Sequence, residues 1–66
     1  MNKYFVQFTT ITGRQYNFEL HTNKENRQQI EDYFTNTYLI SDEEIFTVEP
    51  FCTWHRGIKV NDIITI

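Results

Sequence analysis

The sequence contains no alanine, one cysteine, one proline and two glycines, and each shortage removes a class of structure or chemistry. Cys52 alone excludes an internal disulfide. Gly13 and Gly57 stand apart from each other, so no glycine-rich loop exists to cradle a phosphate with backbone N–H groups; both read as turn residues. Lysine and arginine together number six against nine acidic residues, giving a net charge of −3. That balance opposes a general attraction to nucleic-acid phosphates, which requires clustered cations. No apolar run approaches the roughly 20 residues of a membrane-spanning helix. The opening Met-Asn-Lys-Tyr-Phe-Val-Gln lacks the basic and apolar segments of a signal peptide, so a cytoplasmic location is expected and no membrane association. A single cysteine is compatible with that reducing compartment.

Aromatic residues are what the chain has in abundance: six Phe, four Tyr and one Trp in 66 residues. This length allows one domain, residues 1–66, with a small core. A domain without disulfides must draw its last few kcal/mol from dense packing, a metal or self-association. Rings that each bury roughly 150–250 Å² are the available source, and most are read as core.

The patterning predicts an α+β domain of ββαββ order. Tyr4 to Ile11 is rich in β-branched and aromatic residues, with Tyr4, Val6 and Phe8 on one face and Phe5, Gln7 and Ile11 on the other, which suits a central strand. Thr12-Gly13 signals a turn, and Arg14 to His21 alternates with Tyr16, Phe18 and Leu20 inward, completing a hairpin. Thr22 and Glu25 have capping-box spacing, which starts a helix near Asn23. Ile30, Tyr33, Phe34 and Tyr38 then form its apolar face, and an end falls between Leu39 and Ser41. Asp42-Glu43-Glu44 reads as a solvated loop. Ile45 to Phe51 is a strand that Pro50 confines to an edge or a bulge. After a loop from Cys52 to Gly57, Ile58 to Ile66 reads as one strand or as two meeting at Asn61-Asp62. The expectation is a four-stranded sheet with one helix on one face. Central first and last strands would give the order 2-1-4-3, with strands 1 and 4 parallel because the helix returns the chain across the sheet.

That order, with its opening Thr12-Gly13 hairpin and following helix, resembles the β-grasp topology of ubiquitin-like domains. The chain ends Ile63-Ile64-Thr65-Ile66 without the Gly-Gly tail used in conjugation, so the resemblance implies a fold and not that activity. In general character, a short chain rich in Asn and aromatics and devoid of Ala also resembles the accessory proteins of phages and mobile elements of Gram-positive bacteria. That resemblance implies an inhibitor or modulator of a host protein.

Unusual chemistry is densest in Phe51-Cys52-Thr53-Trp54-His55-Arg56-Gly57. Trp and Arg are the residues most enriched at interface hot spots, so Trp54, His55 and Arg56 are the candidate binding residues. In the alternative, Trp54 caps the core and Arg56 pairs with an acidic neighbour. Cys52 and His55 form a Cys-x-x-His pair to which His21 or a carboxylate would have to be added, but structural zinc sites usually present two such pairs, and no metal is expected. Cys52 and His55 as nucleophile and base would have to meet across three residues of loop, and no catalytic residue or cofactor is assigned. Glu31, Asp32, Asp42, Glu43, Glu44 and Glu49 suggest a solvated acidic face, or the charge array of a nucleic-acid mimic. The sequence thus favours a non-enzymatic protein-binding module. Its main alternative is a nucleic-acid-binding regulator stacking bases on sheet aromatics flanked by Lys3, Arg14, Arg56 and Lys59. A monomer and a homodimer both fit so short a domain.

Overall fold

The computed structural model describes residues 1–66 as four strands and a helix: β1 (Asn2–Thr9), β2 (Gln15–Thr22), α1 (Arg27–Thr37), β3 (Thr47–Pro50) and β4 (Asp62–Thr65). Short 3₁₀ turns occupy Glu43–Ile45 and Thr53–Gly57. The expected ββαββ order and the single α+β domain are present. No helix is long and apolar enough to cross a membrane.

β1 and β2 pair antiparallel along their full lengths, from Asn2 opposite Thr22 to Thr9 opposite Gln15. The turn between them uses Gly13 at φ +85°, where a side chain would be strained, and closes with Gly13 N–H donating to Thr10 O and Thr10 N–H to Arg14 O. Their shared inner face explains the alternation in the sequence: Val6 lies opposite Phe18, and Phe8 opposite Tyr16. α1 lays Ile30 and Phe34, one turn apart, onto that face, and both are fully buried. Phe8 sits among Tyr16, Phe18, Phe34, Tyr38 and Phe46 with ring centroids 5.1 to 5.9 Å away. This aromatic knot, with Val6, Leu20 and Val48, is the core. No buried side-chain polar atom lacks a hydrogen-bond partner.

The helix starts later than the capping-box spacing predicts. Thr22 is fully buried as the last residue of β2, and its Oγ1 accepts from Lys24 N–H. The strand pairing of Thr22 with Asn2 holds the backbone extended there, and four more residues lead out of the sheet. Asn26 is the cap instead, accepting Gln28 N–H at 2.8 Å. The helix also ends earlier, at Thr37, because the next backbone groups are claimed by the hairpin end: Ile11 N–H donates to Leu39 O and Ser41 N–H to Thr9 O.

The sheet order is β3-β1-β2-β4, not 2-1-4-3. β3 pairs antiparallel with β1 at an edge, as Pro50 requires, and β4 pairs parallel with β2 at the opposite edge. The parallel pair expected between the first and last strands is therefore formed by β2 and β4. An asparagine clamp starts it: Asn61 N–H donates to Asn17 O, and Asn17 N–H donates to Asn61 Oδ1. Residues 58–61 are not strand, and β4 is a single short strand, which settles the reading of Ile58 to Ile66.

The two apolar faces of β1 and β4 have different causes. β2, β3 and β4 share one direction, so two crossovers are needed. The first, α1, covers the Val6 and Phe8 face. The second, residues 51–61, carries the chain between opposite edges of the sheet and covers Phe5 on the other face, leaving it 2% exposed. On β4, Ile63 stays 57% exposed, so its apolar residues on both faces do not signal a central strand.

Candidate functional site

The second crossover contains the residues singled out in the sequence, and its geometry is set by one side chain. His55 is 1% exposed, and its ring stacks on Phe5 with centroids 4.5 Å apart and planes 14° from parallel. Phe51 lies beside it at 5.2 Å, and Trp54 packs against it at 3.9 Å with the planes tilted by 35°. Both ring nitrogens are engaged. Cys52 N–H donates to Nδ1 at 2.7 Å, and Nε2 lies 2.7 Å from Glu49 Oε1 on β3. An N–H donates only to an unprotonated nitrogen, so the proton resides on Nε2, which donates to the carboxylate. His55 thus fastens the start of the crossover to both β1 and β3.

This arrangement separates the three candidate binding residues. His55 is removed from any contact role by its burial and becomes the support. Trp54, seated on that support, is 63% exposed. Arg56 is exposed, and the ion pairs of the molecule are His21 with Glu19, Arg27 with Glu31 and His55 with Glu49, none of which includes it. The alternative in which Trp54 caps the core and Arg56 pairs with an acid is therefore not realised. Phe5 and Glu49, which hold His55, were not marked as site residues. Their trace in the sequence is an apolar residue on the outer face of β1 and a carboxylate on the outer face of β3.

The other constellations do not assemble. With both nitrogens of His55 occupied, neither offers a lone pair to a metal or to the Cys52 thiol. That thiol is exposed and lies 3.4 Å from Pro50 O. His21 is engaged with Glu19 on the outer face of β2, 2.5 Å away. An acidic groove of about 240 Å³ runs between α1 and the Glu43–Ile45 turn, lined by Gln28, Glu31, Asp32, Thr35, Glu43 and Phe46. Glu31 accepts from Arg27, and Asp32 from Gln28. These carboxylates are partnered within the helix, as expected of a solvated face.

The open sheet face offers no row of aromatic platforms. Tyr4, Tyr16 and Phe18 turn towards the helix, and Phe5 is covered. Gln7 donates to Asn17 Oδ1 there at 2.9 Å, next to Glu19 and His21. Burial holds the Tyr38 hydroxyl above the ordinary tyrosine value, reinforced by Tyr16, Tyr33 and Asp62 and opposed by Arg14.

Comparison with protein-family models, curated proteins and solved structures returns no match to this chain.

Proposed function

We propose that this chain is a small non-enzymatic protein-binding module that uses the crossover surface around Trp54 and Arg56. The observation that carries the reading is an indole 63% exposed yet seated on a buried stack of His55 and Phe5. A large aromatic group held in place before binding loses little further freedom on contact, which is why such residues dominate interface energies. Exposing a Trp without gain to the core is a cost in solubility, and a partner surface offsets it.

In this reading the chain acts sterically, modulating or blocking the protein it attaches to in the cytoplasm. The resemblance to accessory proteins of phages and mobile elements makes a host protein the natural target. The test is affinity capture from lysate of the source cells, followed by mapping of the bound surface by amide exchange. Protection centred on residues 51–59, lost with a Trp54→Ala, Arg56→Ala double substitution that leaves circular dichroism unchanged, supports the assignment. Full affinity in that double variant overturns it.

A further inference from the structure

Charge is segregated between the two sides of the sheet. Of nine acidic residues, six fall between residues 23 and 46, on the helix side, with only Lys24 and Arg27 among them. The opposite side carries Lys3, Arg56 and Lys59, none of which lies within ion-pairing distance of a carboxylate. Lys3 belongs to this surface because its carbonyl accepts Phe51 N–H at 3.0 Å and its Nζ lies 5.4 Å from the Phe51 ring. Arg56 and Lys59 are exposed members of the crossover itself. Glu19 and Glu49, the carboxylates on this face, are each engaged by a histidine. The exposed indole therefore shares this side of the sheet with cations that have no ion-pair partner.

We infer that this surface takes an acidic segment of a partner protein, with an apolar side chain on Trp54 and carboxylates opposite Arg56, Lys59 and Lys3. The inference rests on the protein-binding reading above and adds the chemistry of the partner. Charge complementarity selects an acidic occupant and steers its approach. A nucleic acid fits less well, since this surface presents only one exposed ring for stacking. A second copy of the chain, offering its own acidic helix side, is the other occupant that the charges allow.

Trp54 is the only tryptophan, so its emission reports directly on this surface. The probes are three synthetic peptides of equal length with Glu, Gln or Lys alternating between Leu residues, and single-stranded oligothymidylate. A saturable emission shift with the Glu peptide, weakening as salt rises and about tenfold weaker in an Arg56→Ala, Lys59→Ala variant, is the expected result. Equal affinity for the Gln peptide overturns the charge inference while leaving Trp54 as a protein contact. Tighter binding of oligothymidylate overturns it in favour of nucleic acid. No shift with any peptide overturns it too, and the capture experiment then judges the protein-binding reading separately. Sedimentation showing self-association that the same double variant abolishes, with no peptide binding, reassigns the surface to a second copy.

Discussion

Replacing His55 with alanine tests the central structural claim, that a histidine read in the sequence as a binding residue is instead the buried support of the crossover. The truncation removes a ring 1% exposed that packs against both Phe5 and Trp54, and strands the Cys52 N–H that Nδ1 accepts. The Glu49 carboxylate is 42% exposed and regains water, so its share is small. Lost burial and cavity formation cost on the order of 1–2 kcal/mol, and the stranded donor about 1–2 kcal/mol more. The sum, about 2–4 kcal/mol, is large beside the roughly 3–10 kcal/mol that 0.05–0.15 kcal/mol per residue gives a chain of this size. Urea denaturation followed by far-ultraviolet circular dichroism measures it without relying on Trp54, whose own environment changes. His55→Phe separates the two contributions: it retains the stack on Phe5 but has no acceptor for Cys52 N–H, and so recovers about half of the loss. A His55→Ala protein within about 0.5 kcal/mol of the parent would refute the reasoning, because a side chain contributing that little behaves as a surface residue.

Three further outcomes follow from local geometry. Gly13→Ala meets no steric obstacle, since nothing lies within 4 Å of the added carbon, but forces a side chain into φ +85°; a loss of about 1–2 kcal/mol in urea midpoints is expected. Asn26→Ala removes the cap of α1 and costs about 1 kcal/mol, whereas Glu25→Ala leaves stability unchanged because the helix does not begin at the earlier capping-box position. The third concerns alkali. The Tyr38 hydroxyl keeps its proton in the folded state above the value of 10.0 at which the unfolded chain releases it, so its contribution to stability is complete below that pH and is lost as pH rises through the folded value. Tyr38→Phe should remove that part of the alkaline decline in urea midpoints, and an unchanged decline would show that the hydroxyl is not held protonated.

The sequence by itself determined the elements and the composition of the core. Strict alternation in Tyr16, Phe18 and Leu20, a glycine where φ must be positive, and Ile30 and Phe34 one helical turn apart are local signals, each enforced by backbone geometry within a few residues. Pro50 marked an edge strand because a missing N–H is intolerable between two neighbours. Helix limits were less legible. Thr22 and Asn26 are both good caps, and the choice between them is made by the pairing of Thr22 with Asn2, a partner 20 residues away.

Only the tertiary structure decided the strand order and the nature of the site. Apolar residues on both faces of a strand do not say what covers each face, or whether anything does; on β1 the second cover is a loop, and on β4 it is absent. In the same way, Trp54, His55 and Arg56 form one cluster in the sequence, but a crossover passing over Phe5 must bury one of them and expose the others. The buried residue is His55, because among the three it is the one that finds a flat ring beneath it and, at its two nitrogens, a donor from Cys52 and an acceptor on Glu49.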